Sequence, residues 1–474
     1  MRSFWLLLMF ACAPKGGSVS PVVDPNFPAV PNPGSPAVWS PPAPEVLKLG
    51  DESPLYLHAD AKLPLVSIRI LIPTGSVDDP GKKWGVAGLT AAMAQEASGD
   101  LSSLERSAAF DRLAAKFSID AGREWTTVSL EVHQDRLKEA IPLVADAILE
   151  PKFLKEDWDR VWTRHMTGLE QSLDDNAAVS AQIGPRLWFG DEHPYGHSVG
   201  GTLASVKSID LDDVRKFHAA NYHSGGAVYI AVGAVDAGTL IPMFNEAFAA
   251  WKAKSRSKRE YPAPKATRGL WFVDSPGSSQ TVIRAIMPGP HERQDYARTE
   301  LARIVLGGSF TSRLNQKLRE EKGYTYGARL GLSQWNHEAM IAATTSVRSD
   351  ATAPALADLI AVIEGARDNG FTEAEVSRAK AQALTDLVDG AESRASLAGT
   401  YALAISQGLD PVSVAKVGEE MVGPDAAAMK AATGEWIDPS KAAILLVGDK
   451  ATVLPALEAA GFTGWVALDN QGAP

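Results

Sequence analysis

Apolar and polar positions alternate in short runs along this chain, and the pattern comes round twice. Residues 67–73 (Ser-Ile-Arg-Ile-Leu-Ile-Pro) match residues 282–288 (Val-Ile-Arg-Ala-Ile-Met-Pro), so that Arg69 aligns with Arg284 and Pro73 with Pro288, both at an offset of 215. The apolar strand that ends at Gly233 matches the one that ends at Gly448 at the same offset. One offset recurring at both ends of a long segment predicts two copies of a single α+β unit. In each copy an alternating first strand leads into a helix, then to strands such as residues 126–132. Long helices follow, such as 140–149 and 355–366, with the apolar spacing of helices packed on one face of a sheet. Residues 252–260, followed by Pro262 and Pro264, are charged and rich in breakers and read as the join between the copies.

Composition changes the picture mainly at the N-terminus. The 474 residues, 45% hydrophobic and 22% charged, suffice for more than one core. A net charge of -11 argues against a general nucleic-acid binder. The single cysteine, Cys12, closes the apolar run of residues 4–11, which is too short to span a bilayer and reads as an export signal. Its form resembles a bacterial lipoprotein signal, which implies a lipid on Cys12 and a periplasmic place in the cell envelope, anchored to the membrane. No disulfide within the chain is possible. Residues 13–45 hold ten of the thirty prolines, favour extended backbone and read as a tether. The expected organisation is a signal over 1–12, a tether over 13–47, one domain over 48–252, a linker over 253–267 and a second domain over 268–470.

The chemistry turns on residues 85–93, Gly-Val-Ala-Gly-Leu-Thr-Ala-Ala-Met. With the strings at 75–82, 192–196, 200–202, 217–222, 306–314 and 318–326, this segment makes the chain from about 48 to 465 resemble the insulinase/pitrilysin zinc metallopeptidases, the inverted zincins. In that family the segment reads Gly-x-Ala-His-x-x-Glu-His-Met, with zinc on the two histidines and the glutamate activating water. Gly88, Ala91 and Ala92 stand at those positions here. The resemblance therefore implies two insulinase-type domains in tandem, half of a clamshell. It implies no zinc bound by this chain and no hydrolytic step of its own, because glycine and alanine offer neither ligand nor base. The family's third ligand, a glutamate on a later helix, registers on Gly168 through the turn at Asp174-Asp175-Asn176. Glu170 lies about 200° around the helix from it and does not replace it.

Elsewhere the candidates are few. His193 and His197 are four apart, but Pro194 and Gly196 between them predict a turn, with His193 bonding to backbone. There is no Gly-x-Ser-x-Gly elbow to support hydrolysis by other means. In the second copy, Phe310, Leu314 and Leu318 predict a helical stripe, Gly323 its stop, and residues 324–330 a strand. In the family, an arginine and a tyrosine at the positions of Arg319 and Tyr326 reach the substrate near the zinc. The resemblance implies that both point into the space between halves and hydrogen-bond a peptide carbonyl and its oxyanion. The expectation is a non-catalytic subunit of a heterodimeric zinc metallopeptidase. Its partner is a catalytically competent insulinase-family homologue that holds the zinc, and its substrate a peptide or unfolded protein. The alternative is a pseudopeptidase acting as a binding or scaffold protein, with no role in proteolysis.

Overall fold

The structure, a computed structural model, describes residues 37–255, 259, 261–265, 268–290 and 293–473; the expected signal, Cys12 and most of the tether lie outside the described residues. The first copy contributes β1 (Glu45–Lys48), β2 (Pro54–Ala59), β3 (Leu65–Ile72), β4 (Lys116–Ala121), β5 (Thr126–His133) and β6 (Val228–Gly233). The second contributes β7 (Gly269–Asp274), β8 (Gln280–Pro288), β9 (Thr325–Gln334), β10 (Ala339–Arg348), β11 (Ala443–Gly448) and β12 (Val466–Leu468). The sheets run β1-β2-β6-β3-β5-β4 and β12-β7-β11-β8-β10-β9. In both, the central strand pairs parallel on one side and antiparallel on the other: β6 with β2 and β3, and β11 with β7 and β8. The repeat seen in the sequence is thus a repeat of topology. The copies differ at the outer edge, where β1 is antiparallel to β2 and β12 is parallel to β7.

Every residue of β6 (Val-Tyr-Ile-Ala-Val-Gly) and of β11 (Ala-Ile-Leu-Leu-Val-Gly) is buried. Continuous apolar strands of this kind need cover on both faces. In β6, Tyr229 and Ala231 enter the first copy's own core, while Val228, Ile230 and Val232 point the other way. What covers them is the helix Arg394–Ser406 of the second copy, through Leu397, Ala398, Tyr401, Ala404 and Ile405. The exchange is reciprocal. The helix Asn176–Phe189 of the first copy lays Val179 and Ile183 on Val282, Leu445 and Val447 of the second sheet. The aligned arginines lie beneath these exchanged helices: Arg284 donates to Ser180 Oγ (3.2 Å), and Arg69 donates to Ser129 Oγ on β5 and to the carbonyl of Ala395 (3.5 Å).

The N-terminal segment corrects the sequence reading. Folded structure begins before residue 48, since β1 starts at Glu45. Ahead of it, the Pro42 carbonyl accepts a bond from Tyr401 (2.7 Å), and Ser40 Oγ accepts one from the Gly418 amide (2.9 Å). Residues 39–48 therefore strap the second copy to the edge of the first sheet. Proline-rich composition reports extended backbone, which suits a strap as well as a tether.

Candidate functional site

The segment that carries the resemblance forms a helix, Val86–Ala94, whose start depends on a distant residue. Its N-cap, Gly85, has φ 104° and no side chain to cap with. Asp79 supplies the cap instead: its carboxyl oxygens accept from Gly85 N (2.7 Å) and Ala87 N (2.9 Å), satisfying amides that a helix leaves open. The Asp79 side chain is completely buried, and its Oδ2 lies 3.8 Å from His197 Nε2. His197 donates to the Ser76 carbonyl (3.0 Å) and stacks on Trp84. Arg123, half-buried, donates to the His197 carbonyl (2.9 Å) and lies over Trp335, which reaches in from the second copy. Burial pushes the Asp79 carboxyl up to about 8, outweighing the two amides, which favour the charged form. It holds His197 down at about 4 and Arg123 at about 10, so His197 is neutral near pH 7.

A carboxyl with a raised folded pKa holds its proton more tightly in the folded chain than in the unfolded one, where its pKa is about 3.9. Its contribution to stability is complete below about pH 4 and is lost as pH rises through the folded value, at up to about 1.4 kcal/mol per pH unit. Asp79→Asn, which does not titrate, is expected to show a flatter fall in urea midpoint between pH 5 and 8 than the wild type. Parallel slopes for the two proteins would contradict the buried, protonated cap.

Residues 198–201 close over the first turn of this helix. A Cβ on Gly88 would sit 3.3 Å from the Val199 carbonyl, and one on Gly201, at φ 75°, would meet the Trp84 carbonyl at 2.1 Å. Ser205 Oγ donates to that same Trp84 carbonyl (2.7 Å), and His165 Nε2 bonds the Gly200 carbonyl (2.8 Å). Ala91 is buried in the first core and Ala92 is half-buried against it.

Gly168 is not where the sequence register put it. It lies on the exposed side of the helix Lys155–Ser172, and a Cβ there would touch nothing within 4 Å. The side packed on the core carries Trp158, Val161, Met166 and Leu169. The turn at Asp174-Asp175 fixes where the helix ends but not its phase, which is why the register slipped. Neither apolar Leu169 nor His165, whose Nε2 is engaged by backbone, restores a ligand set. Among the described residues, no group of three or more His, Cys, Asp or Glu is placed to hold a metal ion. The donor set does not fit zinc.

In the second copy, Leu314 and Leu318 are buried as the stripe predicts, but Phe310 is 63% exposed. Ser309 is extended (φ -131°, ψ 164°) and breaks the helix before Phe310 can share its face. Two π-helical turns, Ile304–Gly308 and Gln316–Glu321, flank this break. Gly323, at φ 61°, ends the second turn as expected: its amide bonds the Arg319 carbonyl (3.0 Å), and that of Tyr324 bonds Leu318 (2.9 Å). The Arg319 side chain is 33% exposed, with its guanidinium 4.2 Å above the Phe310 ring and Nε 3.4 Å from Glu320. Tyr326, on edge strand β9, is 92% exposed. Among the described residues, neither hydrogen-bonds nor stacks with the first copy. Beyond Tyr326 the outer edge of β9 is covered, with Ala328 N donating to Asn315 (2.8 Å) and the Leu330 carbonyl accepting from Arg303 (3.0 Å).

The sequence does not single out the place where the copies meet. Buried Glu124 accepts from Tyr261 (3.1 Å) and from the Asn336 amide (3.1 Å), and His337 stacks on Tyr261. They line a cavity of about 370 Å³ together with Asp78 and Arg259, which form an ion pair. No spacing rule joins residues so far apart in the chain. The turn at residues 192–196 is as predicted, with His193 Nδ1 accepting from the Tyr195 amide (3.0 Å).

Comparison with known proteins adds relatives to this geometry. Residues 56–180 match the family described as Insulinase (Peptidase family M16), and residues 208–383 match the Peptidase M16 inactive domain. An uncharacterized zinc protease of Mycobacterium tuberculosis is 25% identical over 338 residues, covering 70% of this chain and 76% of that protein. The non-peptidase homolog YmxG of Helicobacter pylori is 22% identical over 340 residues, covering 69% and 76%. Among solved structures, a peptidase M16 inactive domain from Pseudomonas fluorescens superposes with a TM-score of 0.80 at 23% identity, over 87% of this chain and all of that one. Pitrilysin superposes at 0.68 and 17%, over 85% of this chain and 44% of its own length. At these identities the structures share the fold.

Proposed function

Because this chain belongs to the insulinase (M16) peptidase family, we propose that it is a non-catalytic member that completes the peptide-binding chamber of a zinc-bearing homologue. The observation that carries the proposal is a contrast within one chain. The motif helix keeps its cap and its cover but has no side-chain donor atom at Gly88, Ala91 or Ala92, while the second copy keeps a half-exposed Arg319 and a fully exposed Tyr326. A guanidinium and a phenol suit a peptide carbonyl and the oxyanion that forms on it, but they need a nucleophile and a metal supplied by another subunit. The substrate is an extended peptide or unfolded segment, held largely through its backbone, a mode that tolerates many sequences. The proposal includes a lipid at Cys12 and a place on the periplasmic side of the cell envelope.

Purification of the native protein in detergent tests both parts. A homologue with an intact His-x-x-Glu-His is expected to co-purify, and the complex to cleave an unstructured fluorogenic peptide in a chelator-sensitive way. The N-terminal peptide is expected to carry acyl chains on Cys12. Recovery of the chain in an assembly without peptide cleavage would favour the scaffold reading, and an unacylated mature chain lacking Cys12 would remove the anchor.

A further inference from the structure

We infer that Phe310 is a positioning residue that holds Arg319 ready for substrate, an inference that rests on the proposed use of Arg319. A long arginine side chain on a surface samples many rotamers, and ordering it on binding has an entropic cost. Here the guanidinium already lies 4.2 Å above a ring that is itself 63% exposed. The Phe310 ring lies outside the core of the second copy, and the Arg319 guanidinium packs on it. The two helical leucines that follow it are buried, and the extended backbone at Ser309 swings Phe310 away from them. A guanidinium held over a ring by cation–π attraction keeps the N–H groups that point away from the ring open to acceptors. Glu320, at 3.4 Å from Nε, pulls on one edge of the same group, and the ring restrains it from turning fully to that carboxylate.

Two measurements test this. In the free chain, the Arg319 Nε–Hε resonance, assigned by its loss in Arg319→Ala, should be displaced by the ring current and should relax towards the exposed-arginine value in Phe310→Leu. An unmoved resonance overturns the inference whatever the chain's function. In the complex with the zinc-bearing homologue, Phe310→Leu should lower kcat/KM for an unstructured fluorogenic peptide about two- to fivefold, the range of an exposed cation–π contact. Phe310→Trp should retain the rate, and Phe310→Leu should have no further effect in an Arg319→Ala background. Equal losses in both backgrounds would mean that Phe310 acts apart from Arg319, and would sink the inference while leaving the proposed function intact. No loss with Arg319→Ala itself would count against the proposed function, and the resonance would still decide the placement.

Discussion

Arg319→Ala is expected to leave the fold and the complex with a zinc-bearing homologue intact, and to lower that complex's peptide kcat/KM on the order of a hundred- to a thousandfold. The size follows from the chemistry: loss of one positioned donor to a developing oxyanion costs about 2.7 to 4 kcal/mol, far more than a solvated contact. Tyr326→Phe removes only a hydroxyl and is expected to act in the same direction. Both substrate and transition state would meet these groups, so the loss belongs in kcat/KM. Because Tyr326 is 92% exposed in the free chain, its removal has little to disturb in the core. A loss of activity with unchanged stability therefore identifies a contact made across the complex. Wild-type turnover with both residues replaced would instead support the scaffold reading.

Tyr401→Ala is expected to destabilise the protein by about 3 to 5 kcal/mol, the range for removing a large buried aromatic ring. Tyr401 is fully buried, packs on the strands of the other copy, and bonds the carbonyl of Pro42. Its loss thus touches both copies and the strap at once. Hydrogen exchange should rise together in β6 of the first copy and in the helix Arg394–Ser406 of the second. Loss of protection confined to the second copy would show that the copies open independently.

Much of this architecture was legible in the sequence. The 215-residue offset predicted the repeat, and the unbroken apolar runs of β6 and β11 carry the need for cover on both faces. What they do not carry is the identity of the cover. Val179 and Ile183 look like the inner face of any helix, and only the tertiary structure assigns them to the sheet of the other copy. The same limit explains the strap, because proline composition does not reveal that Tyr401 waits for the Pro42 carbonyl. At the site, the loss of zinc ligands was plain from residue type alone. Gly168 was misplaced because a turn signal has no helical phase, and Phe310 because periodicity does not register one extended residue at Ser309. Asp79 was missed as the helix cap because it sits six residues ahead of Gly85, outside the usual capping spacing.

The claim that this chain has the frame of an insulinase-family peptidase without its metal is tested most directly by titrating zinc into the purified full-length protein, with peptide cleavage followed in the same sample. The expected result is no stoichiometric zinc and no cleavage of an unstructured peptide, because Gly88, Ala91 and Ala92 carry no donors. Binding of about one zinc per chain with chelator-sensitive cleavage would contradict it.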